Sequence, residues 1–260
     1  MLCINEVVSE LETDGWLVNQ TRMWLASQWT VRDEKGWIFG QERMYQQLLD
    51  GSRAANLLGW QWTVGAGTGK PYGFSQWQVN KRAPGLCAQC SLVRNCPVAE
   101  FPEETTLPHA LRNERLELDL DLAATRGPIE PEFNRAPEYV LLTIDSLGDA
   151  DQAMIAHPEL PVVFVFNEPA LRKLQLSSQR IAFYLQTLQD LSARRDVRVY
   201  LGDPYEFAKD HPVATTFAPV PSFKKFKNLA EVYPYPWLRM PHGGSLKSFS
   251  SWRKSFPQNQ

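Results

Sequence analysis

Residues 49–62 read Leu49-Asp50-Gly51-Ser52-Arg53-Ala54-Ala55-Asn56-Leu57-Leu58-Gly59-Trp60-Gln61-Trp62. Asp50-Gly51 is a helix stop, and Ser52 is an N-cap residue for a new short helix through Leu58. A buried indole needs a partner for its N–H. Trp60 and Trp62 beside a tight turn therefore predict one of two things: a dense core corner, or the wall of a site for a flat aromatic ligand.

Working outward, residues 1 to about 100 read as helical. Cys3, Val7, Val8 and Leu11 recur at helical spacing, and Asp14-Gly15 ends that helix. A second helix is expected from about Trp16 to Thr30. On it Asn19, Arg22 and Met23 lie at i, i+3 and i+4 and share one face. A third helix is expected from Gln41 to Leu49, with Met44 and Leu48 on its apolar stripe. The run "GAGTGKPYG" (65–73) is a loop. It is no phosphate-binding P-loop, because Val64 stands where the first Gly is required and Pro71 replaces the Ser or Thr.

The chain of 260 residues has a formal net charge of −2 and is 43% hydrophobic, enough for one or two domains with a proper core. That charge carries no whole-chain signature of nucleic-acid binding, though a local basic face is compatible with it. No apolar run reaches membrane-spanning length, and the first residues lack the order of a signal peptide, so no membrane association and a cytoplasmic location are expected. Nine Trp are present, and Trp16, Trp24, Trp29, Trp37, Trp60, Trp62 and Trp77 all fall early. They fit an aromatic-rich helical core or an aromatic network around a cofactor.

The pattern changes after a Pro-rich stretch. Residues 101–137 read as a linker with one short helix near Leu107–Leu118. "EYVLLTID" (138–145) and "LPVVFVFN" (160–167) are continuous apolar runs of strands covered on both faces. Residues 177–195 form an amphipathic helix with Ile181, Leu185, Leu188 and Leu191 inside, and "DVRVYLGDP" (196–204) is a third strand. Strand, helix and strand in this order predict a right-handed parallel α/β unit within 138–260. From Thr215 onward an irregular tail carries Lys224, Lys225, Lys227, Lys247, Arg253 and Lys254. This is a solvated basic surface or a weak nucleic-acid contact.

Cys87, Cys90 and Cys96 form C-x2-C-x5-C followed by Pro97, and Cys3 stands at the head of the first helix. Clustered cysteines in a chain without an export signal favour metal binding over disulfides. Four thiolates satisfy an iron–sulfur cluster or a structural zinc.

"GWLVNQTRMWLAS", "LLDGSRAANLLGWQW" and "GTGKPYGFSQW" together resemble the C-terminal half of the flavin-binding domain of photolyases and cryptochromes. With Cys3 before them and "LCAQCSLVRNCP" after them, they are similar to the bacterial branch that carries a [4Fe–4S] cluster. The resemblance covers about residues 1–100. It implies an α plus α/β fold: the helical half of an FAD-binding domain, then a small Rossmann-like region similar to the family's antenna domain. In typical members that domain precedes the flavin domain, whereas here it follows.

The resemblance further implies FAD and a [4Fe–4S] cluster on Cys3, Cys87, Cys90 and Cys96. Asn19 and Arg22 match the flavin-facing helix, with Arg22 paired to Asp50, and Met23 matches a residue facing the substrate cleft. Asn56 matches the residue at the flavin N5 edge and Trp60 the nearest electron donor, which makes these two the catalytic candidates. Ser52 occupies a flavin-contacting position at which the family commonly has a second Asp, and Arg53 and Leu57 are also unusual. The implied activity is light-driven DNA repair; the alternative is a non-enzymatic cryptochrome-like blue-light receptor or an iron–sulfur binding module. The family's flavin domain begins well upstream of Cys3, so a split member is expected, completed by a partner chain that supplies the remaining flavin helices.

Overall fold

The computed structural model describes residues 1–66, 69–101, 117–133 and 135–256. It divides into two compact units: a helical one, Met1–Leu111 with Gln175–Phe183, and an α/β one, Arg112–Leu174 with Tyr184–Gln260. This is the α plus α/β class that the sequence predicts. No helix among the described residues is long and apolar enough to cross a membrane.

In the helical unit α1 spans Leu2–Thr13, α2 Asn19–Ser27, α3 Trp37–Gln47, α4 Arg53–Thr63 and α5 Gln76–Arg82. Helix α1 buries Cys3, Val7 and Leu11, the stripe its periodicity predicts. Gly15 follows at φ +65, and a Cβ there would stand 2.8 Å from Leu49 Cγ, so the turn needs glycine twice over. Helix α2 is shorter than expected. It starts at Asn19 and passes into a π-helical turn over Gln28–Arg32. Helix α3 begins four residues before the expected Gln41, and α4 runs five beyond Leu58. The core joins Val7, Leu11, Leu17, Trp24, Met44, Leu48, Trp60, Phe74 and Val79. The tryptophans do not share one fate: Trp24 and Trp60 are buried, whereas Trp16, Trp62 and Trp77 are exposed.

The α/β unit holds α6 (Leu122–Arg126), β1 (Tyr139–Leu142), α7 (Gln152–Ala156), β2 (Val162–Asn167), α8 (Glu168–Leu174), most of α9 (Ser178–Ser192), β3 (Val197–Gly202), α10 (Pro204–Asp210), β4 (Val213–Thr216), β5 (Ala230–Tyr233) and α11 (Phe249–Lys254). The five strands are parallel in the order β3-β2-β1-β4-β5. Successive side chains of a strand point to opposite faces. Leu141 and Val163 accordingly enter one core with Val213 and Phe226, while Val140, Leu142 and Val162 enter another with Met154 and Leu188. Both faces of β1 and β2 are covered, which is why these two show unbroken apolar runs, while β3 at the sheet edge leaves Val199, Tyr200 and Leu201 exposed.

Three expectations need correction. The tail read as irregular contains β5 and half of β4; each strand is four residues long, too short to show a period of its own, and forms because a neighbour supplies its ladder. The described part of the stretch read as a linker packs on the α/β unit: Glu132 bridges Val232, and Arg126 donates to the Pro241 carbonyl. Its helix is α6; the expected one near Leu107–Leu118 lies mostly outside the described residues. On α9 the buried stripe is Tyr184, Leu188 and Leu191, and Leu185 is exposed.

Candidate functional site

The turn at Asp50-Gly51 is held from two sides. Arg22, on α2, donates through Nη2 to both Asp50 oxygens at 3.0 and 2.8 Å. Its Nε donates to the Leu17 carbonyl at 2.8 Å, which fixes the guanidinium plane. A second arginine was not legible in the sequence. Arg180, only 2% exposed, donates to the carbonyls of Tyr45 at 2.5 Å and Gly51 at 2.9 Å, and stacks 4.5 Å above the Tyr45 ring. It lies about 130 positions along the chain from the turn, so no local pattern announces it. Arginine suits this task because its planar fork serves several acceptors at once.

Ser52 caps α4, its hydroxyl accepting from the Ala55 amide at 3.4 Å. Asn56 and Trp60 lie one helical turn apart on α4 and both face α3. Asn56 Nδ2 donates to the Gln41 carbonyl at 2.6 Å and to Gln41 Oε1 at 3.2 Å. Trp60 is 3% exposed, and its six-membered ring lies so close to Gly40 that a Cβ there would stand 2.2 Å from Trp60 Cη2. Asn56 and Trp60 therefore also seat α4 on α3, and Gln41 and Gly40 are the partners that sequence reading missed. Trp60 Nε1 is buried with no partner among the described residues, as is Trp24 Nε1. Met23 accepts a weak contact from the Thr63 hydroxyl at 4.0 Å. Asn19 opens α2 and is exposed.

Trp60 also borders a cleft of roughly 250 Å³ lined by Ile4, Val8, Leu11, Leu25, Trp29, Gly40 and Met44, with polar Glu12, Gln28, Asp33 and Arg43. Asn19, Arg22, Asp50, Ser52 and Asn56 do not line it. The structure thus joins Arg22 to Asp50 and sets Asn56 beside Trp60, but it does not gather all the predicted flavin residues around one cavity.

A second recess collects all four cysteines. Cys3, Cys87, Cys90 and Cys96 line it together with Met1, Gln76, Val79, Leu86, Val93 and Val98. Burial raises the Cys3 thiol, with the Cys87 and Cys96 thiolates adding to the rise. Cys87 is raised by burial and by Cys96 and Cys90. Cys90 is lowered, because the backbone N–H groups of Leu2 and Leu92 favour its thiolate. All four are free of disulfides. Among the described residues, no three His, Cys, Asp or Glu side chains converge as tightly as a single ion requires. The sulfurs border a shared space instead. Four thiols thus line one mostly apolar recess, with the backbone N–H groups of Leu2 and Leu92 directed at the Cys90 sulfur.

Residues 4–83 match the FAD binding domain of DNA photolyase. The deoxyribodipyrimidine photo-lyase of Vibrio cholerae is 36% identical over 70 residues, which are 26% of this chain and 15% of that protein. The enzymes of Salmonella typhimurium and Escherichia coli are each 38% identical over 66 residues, 25% of this chain and 14% of theirs. The matched stretch thus spans about one-seventh of these relatives' length. No solved structure matches the chain significantly. Over residues 4–83, which hold Arg22, Asp50, Asn56 and Trp60, the helical unit is similar to a photolyase FAD-binding domain.

Proposed function

We propose that this chain forms part of a photolyase-like flavoprotein acting on DNA in the cytoplasm, with FAD held by residues of α2 and α4 and the turn between α3 and α4, and a [4Fe–4S] cluster on Cys3, Cys87, Cys90 and Cys96. The observation that carries the flavin reading is the match over residues 4–83, within which Arg22 and Asp50 form the ion pair and Asn56 and Trp60 stand one turn apart. One feature fits the cofactor: among the described residues the buried Trp60 indole N–H has no partner, and it offers a donor at the cleft that Trp60 borders.

FAD, when bound, supplies blue-light absorption and one-electron chemistry. The chain's own part is positional. Arg22 and Asp50 lock α2 against the turn, so Asn56 and Trp60 are held in register. Trp60, shielded from water, is the oxidisable side chain nearest Asn56 along α4. Exposed Trp62, Leu57 and Leu58 on the same helix offer an apolar surface that a partner chain carrying the rest of the flavin domain would cover.

The cluster reading is supported by the lining of one recess by all four thiols of the chain. A zinc ion draws every sulfur to about 2.3 Å from one centre, whereas a multi-iron cluster spreads its ligands around a larger core. The cluster's part here is to tie α1 to the cysteine loop.

Anaerobic purification, alone and together with a chain carrying the remaining flavin helices, tests both cofactors by spectrum and metal analysis. The expected result is a brown protein with roughly four irons per chain, and yellow flavin retained by the pair. Zinc at one per chain ends the cluster reading. Absence of flavin from the co-produced pair ends the flavin reading. A light-dependent assay on damaged oligonucleotide separates repair from a purely light-sensing role.

A further inference from the structure

The cysteine loop has little regular structure to hold it. Between α5 and residue 101 the only described elements are single turns over Cys87–Gln89 and Val93–Asn95. A loop without a ladder needs other partners for its carbonyls. Here one side chain supplies them. Arg32, the last residue of the π-helical turn, donates through Nη1 to the Pro97 carbonyl at 3.0 Å and through Nη2 to the carbonyls of Phe74 at 2.8 Å and Glu100 at 2.7 Å. Its guanidinium also lies 5.7 Å from the centre of the fully buried Phe74 ring, which in turn stacks on Trp24. From the other side, Gln76 donates its amide to the Val98 carbonyl at 2.6 Å, and Ala99 donates to the Cys96 carbonyl at 3.0 Å. The run from Cys96 to Glu100 is thereby clamped on both sides, with Val98 buried between.

We propose that Arg32 is the positioning residue of the four-cysteine site: it fixes the backbone that carries Cys96, and it brings a permanent cation to a site of four thiolates. The proposal rests on the reading that these cysteines bind metal. Lysine would not replace it, because its single nitrogen cannot stand at the two positions from which Nη1 and Nη2 serve these three carbonyls. The cation is close enough to Cys96 for their charges to interact, so it offsets part of the repulsion among the thiolates.

The test compares wild type, Arg32→Met and Arg32→Lys as full-length chains, reconstituted anaerobically with iron and sulfide. Two quantities are read: the rate of iron loss to a chelator, and amide hydrogen exchange at Gln76 and Ala99. Arg32→Met is expected to lose iron about tenfold faster, with Arg32→Lys between it and wild type. Exchange at Gln76 and Ala99 is expected to quicken by about tenfold in Arg32→Met while α1, α3 and α4 keep their protection. Where metal binds, loss at the wild-type rate overturns the proposal. If wild-type protein takes up no metal, the metal reading fails by itself, and exchange decides the clamp: unchanged exchange at Gln76 and Ala99 overturns it. Should Arg32→Met fail to fold, Arg32→Lys supplies the same two readouts.

Discussion

Arg22 Nη2 reaches both oxygens of Asp50, so one nitrogen ties the start of α2 to the turn that launches α4. The pair is only partly shielded: the Arg22 side chain is 26% exposed and that of Asp50 50%. Solvent screening limits such a pair to about 1 kcal/mol of stability. Asp50→Asn should therefore shift urea unfolding by no more than about 1 kcal/mol. Its effect on flavin retention should be larger, about tenfold in affinity, because the turn sets the register of the whole α4 face. Titrating FAD into the co-produced pair measures this, and equal flavin affinity would detach the ion pair from the cofactor.

Gly40 and Trp60 make a lock without tolerance. A methyl group at residue 40 would stand 2.2 Å from Trp60 Cη2, 2.4 Å from Cζ3 and 3.1 Å from Trp29 Cδ1. No rotation relieves contacts with two rings at once. Gly40→Ala is expected to cost about 1–3 kcal/mol through overpacking, and to shift tryptophan emission to the red as Trp60 gains water. Unchanged emission with full stability would show that α3 and α4 separate easily.

What the sequence made readable follows from the range of each interaction. Helix α1, the Gly15 turn and the Ser52 cap are set by neighbours and were legible, whereas the Arg22–Asp50 pair, 28 positions apart, was reached only through the family resemblance. Strands β1 and β2 announced themselves because burial on both faces leaves unbroken apolar runs, whereas β3, an edge strand with Val199, Tyr200 and Leu201 exposed, was legible from its β-branched and aromatic residues before a Gly turn. Strands β4 and β5 did not, since Val213–Thr216 and Ala230–Tyr233 form only on partners far along the chain. Arg180 and Gln41 escaped for the same reason: each acts on backbone carbonyls or an amide that only the tertiary fold brings near. The four cysteines sit between these cases. Their spacing suggested a shared centre, but only the packing of α1 puts Cys3 beside the other three.

Asp151 gives the α/β unit a pH dependence whose sign is fixed. Its carboxylate is 3% exposed, caps α7 by accepting from the Met154 amide at 2.8 Å, and receives the Ser146 hydroxyl. Burial nevertheless pushes its pKa above the usual carboxylate value, and the hydrogen bonds only partly offset that rise. A raised carboxyl binds its proton more readily in the folded state than in the unfolded one. Its favourable contribution is therefore complete below the unfolded value of 3.8 and is lost as pH rises through the folded one. Asp151→Asn removes the titration and keeps a capping oxygen. The stability of wild type relative to this variant should fall as pH rises above about 4, as read by urea unfolding. A difference that grows with pH would reverse the assignment.

The sharpest test of the candidate site separates two jobs held by one residue. Asn56 Nδ2 binds both the carbonyl and the side-chain oxygen of Gln41, which is 5% exposed. Asn56→Ala removes a bond from a carbonyl that the α3 ladder still pairs, together with the Gln41 Oε1 contact, and it should cost about 0.5–1.5 kcal/mol whether or not the chain ever meets a flavin. Loss of flavin in this variant alone would therefore prove little. Gln41→Ala is the control: it removes the Oε1 contact, leaves the backbone carbonyl bonded to Asn56, and should cost about 0.5–1.5 kcal/mol. If Asn56 contacts the flavin, its alanine variant loses affinity well beyond what its stability loss accounts for, while Gln41→Ala binds as wild type once corrected for its folded fraction. Parallel losses in the two variants would assign Asn56 to the α3–α4 seat only, leaving Trp60 as the sole residue of that face to be tested as a cofactor neighbour.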